Sequence, residues 1–389
     1  MVPIHPAQRM ARLPKNEFVD LVRSYQALLQ SGCDVINLGQ GNPDIPTPSY
    51  VVQSMQQAIE DPTTHGYSPF SGISELRNAI AKWYSRQFNV EIDPETEVSI
   101  LPGGKAGLVH ICECLLDPGD VCLVPDPGYP DYWSGPVLCG AEMATYPLIA
   151  ENGYMLDVSD ISPAVLKQAK LMFLNYPSNP TAAAPSMSMF QDVVEWAHKN
   201  GIIVAHDAAY ASIVFDGRKP LSFLQAPGAK EVGIEFYTMS KAFSMAGWRV
   251  GFALGNRTII SLLNLIQEHY YVSIFAAVQR AAAAALSSFA DKWLRDLVGT
   301  YELRRDAFVD ALNNIGWEVQ KPSGSIYVWA RIPSRLNSKE FTQLALQHAH
   351  IVMAPGSQFG TLGEGYVRMA LVQSKERLLE AAQRLAKIL

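Results

Sequence analysis

Four short apolar runs in this 389-residue sequence are each followed by side chains that can do chemistry. These side chains are Tyr129 after residues 121–124, Asn179 after residues 171–174, Asp207 and Tyr210 after residues 202–205, and Lys241 after residues 236–239. Taken singly, such residues are usually turn formers, helix caps or solvated side chains. Together they place an amine, a carboxylate, an amide and phenol rings at strand ends, where the ligands of an α/β sheet collect. A lysine amine screened from water has a lowered pKa and can act as a nucleophile or carry a proton.

The apolar runs are predicted to be buried strands, because each is short and ends at glycine, proline or polar residues. Apolar positions between residues 73 and 84, and between 108 and 115, fall on helical faces. Residues 188–199 are predicted to form a connecting helix that Ser188 caps and Asn200-Gly201 ends. Strands that alternate with helices indicate an α/β fold with a mostly parallel, three-layer arrangement.

The pattern changes after about residue 286, where long polar-faced helices and short strands are predicted. The helices are expected at residues 291–314 and 374–389, and the strands at residues 326–330 and 366–370. We therefore expect three parts: an N-terminal arm with a small-domain segment over residues 1–45, a large domain over residues 46–285 and a small C-terminal α+β domain over residues 286–389.

The composition argues against nucleic acids, membranes and metal ions as binding partners. The formal net charge is −6, so the clustered excess of lysine and arginine that binds nucleic acid is not expected. The N-terminus does not resemble a signal peptide, and no apolar run is long enough to span a membrane, so we expect a cytoplasmic protein without a membrane partner. The five cysteines (Cys33, Cys112, Cys114, Cys122 and Cys139) are an odd number without zinc-site spacing, which predicts buried thiols and no metal site.

Two segments give the sequence a family resemblance. Residues 175–181 read N-x-P-x-N-P-T, and residues 240–251 read S-K-x7-R-x-G. Both resemble the fold-type I, class I/II aminotransferases that depend on pyridoxal 5′-phosphate, and the likeness covers nearly the whole chain. It implies a large domain with a mostly parallel central sheet in an α/β/α sandwich, a smaller α+β domain, and ping-pong transfer of an amino group between an amino acid and a 2-oxo acid.

The resemblance also implies a role for each residue that matches the family pattern. Lys241 would hold the cofactor covalently and move the proton during catalysis. Asp207 would keep the pyridine nitrogen protonated, so that the ring accepts electrons. Asn179 and Tyr210 would hydrogen-bond the phenolic oxygen of the ring, and Tyr129 would stack on its face.

The phosphate of the cofactor is expected at Gly103, Gly104 and Lys105, just before the helix that contains residues 108–115. Backbone N–H groups at a helix start bind anions, although the spacing is not that of a Walker A loop. By resemblance, Thr238, Ser240 and Arg249 join this site. Tyr67 matches a tyrosine that reaches the phosphate of the neighbouring subunit, which implies a homodimer with shared active sites.

Substrate contacts are also implied by the resemblance. Arg368 would bind the α-carboxylate through its planar guanidinium, Gly41 would add a backbone contact, and Asn179 would help to line the site. Two positions depart from the family pattern. Ala182 stands where glycine is common, which is tolerable unless the position requires a positive φ, and Thr238 stands where serine is more frequent.

The substrate itself is less sharply indicated. A second basic group for a distal carboxylate cannot be assigned from residues 267–272, which read Gln-Glu-His-Tyr-Tyr-Val, and this favours a neutral side chain. The runs at residues 34–44, 124–135, 171–180 and 245–252 resemble the bacterial methionine-salvage branch, which converts 4-methylthio-2-oxobutanoate to methionine. Aspartate, alanine or aromatic aminotransferases and a C–S lyase remain alternatives. A DNA-binding regulator or an inactive relative is disfavoured by the acidic charge and by the presence of Lys241, Asp207 and Arg249.

Overall fold

A seven-stranded sheet forms the centre of the computed structural model, which describes residues 2–14 and 18–389. The strands of the described chain are Ile36–Asn37 (β1), Val98–Leu101 (β2), Val121–Asp126 (β3), Glu142–Pro147 (β4), Ala169–Asn175 (β5), Ile203–Asp207 (β6), Gly233–Thr238 (β7), Gly251–Gly255 (β8), Tyr327–Arg331 (β9), Ile351–Val352 (β10), Ala354–Pro355 (β11) and Tyr366–Ala370 (β12). Its α-helices are Gln8–Arg12 (α1), Phe18–Gln30 (α2), Ser49–Glu60 (α3), Ser74–Phe88 (α4), Gly104–Leu115 (α5), Ser134–Cys139 (α6), Pro163–Leu166 (α7), Met187–Asn200 (α8), Ala229–Val232 (α9), Met239–Ala242 (α10), Arg257–Tyr270 (α11), Ala276–Ala285 (α12), Ala290–Asn314 (α13), Ser338–Leu344 (α14) and Lys375–Leu385 (α15).

The central sheet has the order β2-β8-β7-β6-β5-β3-β4, and β8 runs antiparallel to both of its neighbours. The remaining pairs are parallel, so the predicted mostly parallel α/β sheet is confirmed. Because β5, β6 and β7 run in the same direction, their carboxyl ends lie at one edge of the sheet. The register sets Asn175 beside Asp207 and Asp207 beside Phe236 at that edge.

Both faces of the sheet are covered, as its strand sequences require. Along β5, Leu171 and Phe173 pack into the core that includes residues of α5 and α11, whereas Met172 and Leu174 pack into the core on the other face. The nearly continuous apolar character of these strands therefore reflects a layer of helices on each side, which is the α/β/α arrangement expected from the sequence.

Two smaller sheets are built from the C-terminal part of the chain. Strands β11, β12 and β9 form an antiparallel sheet, and β10 pairs in parallel with β1 from the N-terminal segment. The segment that follows β1 contacts both parts, because the Gly39 carbonyl accepts from Arg368 of β12 and the Gly41 carbonyl accepts from Lys241 of α10. The division of the chain at residues 45/46 and 285/286 stays a prediction.

Several local expectations need correction. Helix α8 is capped by Ser186, whose hydroxyl accepts from the Met189 backbone N–H at 3.2 Å, and not by Ser188. Serine occurs at both positions, and Ser186 is the one with an extended backbone just before the first turn. The last helix is also shorter than expected, ending at Leu385.

The cysteines are all free, but only Cys112 and Cys122 are fully buried, so the prediction of buried thiols is wrong for the other three. Among the described residues, no cluster of histidine, cysteine, aspartate or glutamate could hold a metal ion. None of the described helices has the length and apolar character needed to cross a membrane.

A buried polar network lies directly behind the end of β6. His206 Nδ1 is 2.8 Å from Glu235 Oε2, and both side chains are completely buried. Glu235 also accepts hydrogen bonds from the Tyr84 hydroxyl, the Ser222 hydroxyl and the Phe223 backbone N–H. Because every carboxylate oxygen is hydrogen-bonded, the network holds β6 and β7 rigidly where Asp207 leaves the sheet.

Candidate active site

A cavity of about 530 Å³ lies at the carboxyl ends of the parallel strands. It is lined by Gln40, Gly41, Gly104, Lys105, Leu108, Tyr129, Asn179, Asp207, Ala209, Tyr210, Thr238, Ser240, Lys241, Ala246, Arg249, Tyr327 and Arg368. Every residue that the sequence indicated for the site is in this set, except Gly103 and Tyr67. The fold therefore brings together predicted residues that are up to 327 positions apart, from Gly41 to Arg368.

Lys241 extends into the cavity from α10, a single turn that begins directly after β7. Thr238 caps this turn by accepting from the Ser240 backbone N–H at 3.2 Å. The Lys241 ammonium donates to the backbone carbonyl of Gly41. Burial lowers the pKa of Lys241, and the nearby Arg368 and Arg249 guanidinium groups lower it further, against an opposing effect of Tyr327. The site therefore favours the neutral amine, which is the nucleophilic form.

Asp207 places a buried carboxylate at the end of β6. Its Oδ2 accepts from the Tyr132 hydroxyl at 2.8 Å, and its Oδ1 accepts from the Ala209 backbone N–H at 3.2 Å. Asn175 Nδ2 donates to the Asp207 backbone carbonyl at 2.7 Å and fixes the strand end. Burial raises the pKa of Asp207, and the Tyr132 hydrogen bond opposes that shift. A carboxylate held by these neutral donors is suited to a cationic group of a ligand in the cavity.

Arg368 enters the cavity from β12 and is almost fully buried. Its Nη1 donates to Asn179 Oδ1 and its Nη2 donates to the Gly39 carbonyl, both at 2.8 Å. The guanidinium carbon lies 4.1 Å from the centre of the Tyr327 ring and 4.7 Å from that of Phe359. These contacts fix the plane of the guanidinium, which is the geometry that recognises a carboxylate through two hydrogen bonds.

The far end of the cavity is built for an anion. Helix α5 begins at Gly104, and Gly103 precedes it with a φ of 93°. A Cβ atom on Gly103 would lie 2.3 Å from Arg249 Nη2, so glycine is needed for the close approach of the guanidinium. Free backbone N–H groups at a helix start, together with an adjacent guanidinium, are the usual partners of a phosphate group.

Lys105 and Arg249, both expected at the anion-binding end of the cavity, are each held by contacts with other residues of the protein. The Lys105 ammonium is 2.8 Å from Asp131 Oδ2 and its side chain is 56% exposed, so a contribution to anion binding rests on its backbone N–H in α5. Arg249 has a φ of 55° and donates to the backbone carbonyls of Ala246 and Pro102 at 2.9 and 3.3 Å. These bonds fix the guanidinium beside the start of α5.

Ala182 lies at a position where the backbone adopts a positive φ, which is the condition under which alanine is expected to be unfavourable there. Its φ is 59°, the left-handed region in which glycine is preferred. The conformation is fixed by a hydrogen bond from its N–H to the Ser178 carbonyl at 3.0 Å and by one from the Gly324 N–H to its own carbonyl at 3.2 Å. The departure from glycine therefore carries a backbone cost of about 1 kcal/mol, whereas Thr238 keeps its hydroxyl in use within the cavity.

Three residues near the site were missed by sequence reasoning. Tyr327 lines the cavity, Tyr132 binds Asp207, and Asp131 pairs with Lys105. The sequence held only a weak signal for Tyr132, which comes three positions after Tyr129, and none for Tyr327 beyond a predicted strand. Tyr67 lies outside the cavity with 92% of its surface exposed.

Comparisons with known proteins identify the relatives of the chain. The sequence profile described as aminotransferase class I and II matches residues 33–385. An L-glutamine–4-(methylsulfanyl)-2-oxobutanoate aminotransferase of Bacillus subtilis is 50% identical over 380 residues, covering 97% of this chain and 95% of the relative. An LL-diaminopimelate aminotransferase of Moorella thermoacetica is 44% identical and covers 98% of both chains.

A solved structure gives the same result for the fold. The substrate-bound structure of BacF from Bacillus subtilis superposes with a TM-score of 0.96 at 44% identity and covers 100% of this chain and 98% of its own. The fold predicted from the sequence is thus confirmed by an independent structure of nearly the same length.

The anion-binding end can be tested with a matched pair of glycine variants. Gly103→Ala and Gly217→Ala both place a Cβ at a positive φ, but only the Cβ at 103 would meet Arg249, because nothing lies within 4 Å of the one at 217. We expect both variants to lose stability, by about 1–2 kcal/mol for Gly217→Ala and by about 1–3 kcal/mol for Gly103→Ala, whose φ of 93° and ψ of 156° lie in a region that is almost restricted to glycine. Only Gly103→Ala should bind pyridoxal 5′-phosphate about tenfold or more weakly in a spectrophotometric titration, which corresponds to about 1.4 kcal/mol. Equal affinities of the two variants would contradict the assignment of this end.

Proposed function

The chain belongs to the class I and II aminotransferase family, and on that premise we propose that it binds pyridoxal 5′-phosphate to transfer an amino group between an L-amino acid and a 2-oxo acid. The observation that carries the proposal is a single cavity lined by the Lys241 amine, the Asp207 carboxylate and the Arg368 guanidinium. When bound, the cofactor supplies a carbonyl that takes up the amino group and a protonated ring that draws electrons from the substrate Cα.

The cavity offers partners of the right chemistry for each part of this cofactor. Asp207 would hold the charge on the ring nitrogen, and Lys241 would hold the aldehyde end. The remaining groups are assigned as the sequence predicted: the start of α5 with Thr238, Ser240 and Arg249 to the phosphate, Tyr129 to the ring face, and Asn179 and Tyr210 to the phenolic oxygen.

In the reaction, Arg368 would bind the α-carboxylate and so fix the orientation of the substrate Cα–H bond. The Lys241 Nζ would then remove the proton from Cα, a role that requires the neutral amine favoured by its burial. The Gly41 carbonyl, which accepts from this amine, would hold Nζ in place both when it takes up the proton from Cα and when it releases that proton. Asp207 would stabilise the positive ring against the negative charge that develops at Cα.

We further propose 4-(methylsulfanyl)-2-oxobutanoate as the amino acceptor and methionine as the product, with glutamine as a donor. The support is the activity for which the relative that is 50% identical over nearly the full length of both chains is named.

The assignment of Lys241 is tested by reductive trapping. The protein is incubated with pyridoxal 5′-phosphate and reduced with borohydride, and peptide mapping is expected to place the adduct on residue 241. Lys241→Ala should give no adduct there, whereas Lys105→Ala, which removes the other lysine of the cavity, should keep it. Because burial lowers the pKa of Lys241, the amine loses its proton at a lower pH than an exposed lysine, and trapping should be half-maximal below about pH 10.4. An adduct on another lysine would disprove the assignment.

The substrate proposal is tested by a half-reaction screen. The loaded enzyme is mixed with single amino acids, and the loss of its visible absorbance is followed. Methionine and glutamine are expected to react at least about tenfold faster than aspartate, because the two arginines that line the cavity, Arg249 and Arg368, are assigned to the phosphate and the α-carboxylate, and neither is left for a distal carboxylate. If aspartate, alanine, phenylalanine or LL-diaminopimelate reacts faster than methionine, that amino acid is the preferred substrate and the proposed one is wrong. Release of pyruvate and ammonia from cystathionine without a 2-oxo acid would identify a C–S lyase instead.

We also propose that the active enzyme is a homodimer in which Tyr67 reaches the partner's phosphate site. Tyr67, Phe70 and Phe275 are large apolar side chains that are 92%, 47% and 43% exposed, and such surfaces mark protein interfaces.

Sedimentation velocity is expected to give twice the monomer mass of 42.8 kDa. Phe275→Glu should shift the protein towards monomer and weaken cofactor binding, whereas Leu336→Glu, at another exposed apolar position, should change neither. A wild-type monomer would contradict the proposal.

A further inference from the structure

Tyr327 contacts three parts of the candidate active site at once. It is the first residue of β9 and is buried, and its hydroxyl lies 3.1 Å from the Tyr210 hydroxyl. Its ring lies against the Arg368 guanidinium, 4.1 Å from ring centre to guanidinium carbon. A Cβ atom built on Gly41 would be only 2.0 Å from the Tyr327 oxygen, so the ring fills the space that a side chain at position 41 would need.

The hydrogen bond between the two phenols has a preferred direction. Burial raises the pKa of Tyr210. Burial acts in the same sense on Tyr327, but the Arg368 guanidinium, stacked 4.1 Å from the centre of its ring, opposes that effect, and the pKa of Tyr327 lies below its usual value. The Arg368 guanidinium lies against the Tyr327 ring and withdraws electrons from its O–H, so the geometry favours Tyr327 as the donor and Tyr210 as the acceptor. The single proton of Tyr210 is then free to be donated to an acceptor inside the cavity.

The ring of Tyr327 has a second effect, on Arg368. The two terminal nitrogens of the guanidinium donate to Asn179 Oδ1 and to the Gly39 carbonyl, and the flat face of the group lies on the Tyr327 ring. A buried arginine stacked on a tyrosine is held in one plane by the cation–π attraction. Without the Tyr327 ring, the guanidinium would lose the nearer of its two aromatic contacts, which leaves Phe359 at 4.7 Å, and its plane would be less tightly fixed.

From these contacts we propose that Tyr327 is a positioning residue with two separable functions: its hydroxyl directs the Tyr210 proton into the cavity, and its ring holds the Arg368 guanidinium in plane for the substrate carboxylate. This inference rests on the proposed aminotransferase function. It explains why a tyrosine, with both a ring and a hydroxyl, occupies a position where phenylalanine would fill the same space.

Two substitutions separate the two functions. Tyr327→Phe removes the hydroxyl and keeps the ring, whereas Tyr327→Met removes both and fills much of the volume with a flexible side chain. Tyr146→Phe is the matched control, because Tyr146 is also buried and its hydroxyl donates to the Phe173 carbonyl, but it does not line the cavity. Two quantities are measured on the loaded enzyme. They are the pH midpoint of its visible absorbance and the dissociation constant of 4-(methylsulfanyl)butanoate, a carboxylate that cannot react.

In Tyr327→Phe we expect the absorbance midpoint to rise by about one pH unit, since the Tyr210 donor is no longer directed, with the carboxylate bound within twofold of wild type. In Tyr327→Met we expect the same rise and, in addition, carboxylate binding that is about fivefold to thirtyfold weaker. Tyr146→Phe should leave both quantities unchanged. Thermal unfolding of each variant shows whether the protein is folded, and Tyr327→Leu replaces Tyr327→Met if the latter does not fold.

The proposal is overturned if Tyr327→Phe leaves the absorbance midpoint in place. It is equally overturned if both variants weaken carboxylate binding to the same extent, or if the changes follow the loss of thermal stability and occur in Tyr146→Phe as well. A wild-type protein without a visible cofactor band would instead refute the proposed function, and the inference about Tyr327 would fail with it.

Discussion

Burial of the Lys241 amine beside two guanidinium groups is the constraint around which the cavity is organised. Water would hold this amine in its charged form, whereas burial and the nearby Arg368 and Arg249 favour the neutral form. Across the cavity, Asp207 is also buried, and its carboxylate is held by hydrogen bonds from neutral donors. The site thus presents separated charges to a ligand that carries the complementary ones, which is the requirement for binding an anionic cofactor with a cationic ring.

The sheet supplies one half of this arrangement and the C-terminal strands supply the other. Parallel strands β5, β6 and β7 end at one edge, and the Asn175 side chain joins two of them by bonding the Asp207 carbonyl and the Asn179 backbone N–H. Arg368 and Tyr327 come from β12 and β9 of a separate antiparallel sheet. The chemical groups of the large sheet and the Arg368 guanidinium therefore meet only when the two sheets are packed together.

The segment after β1 connects these two halves. The Gly39 carbonyl accepts from Arg368, and the Gly41 carbonyl accepts from Lys241. Asp44 accepts two hydrogen bonds from Arg304 of α13, at 2.8 and 2.7 Å. Because the segment offers backbone carbonyls rather than carboxylates, it orients the Lys241 amine and the Arg368 guanidinium without placing a negative charge beside them.

The sequence by itself determined the parallel sheet, the residues at its strand ends and the family to which the chain belongs. These features follow from local patterns of apolar residues and from two short segments. Only the tertiary structure decided that Tyr132 binds Asp207, that Tyr327 contacts Tyr210, and that Ala182 has a positive φ. Tyr132 and Tyr327 lie 75 and 117 positions from their partners. Even the choice of Ser186 over Ser188 as a cap depended on the backbone angle. Such contacts arise when distant segments of the chain pack together. The spacing of apolar residues along the chain does not show which segments will come into contact.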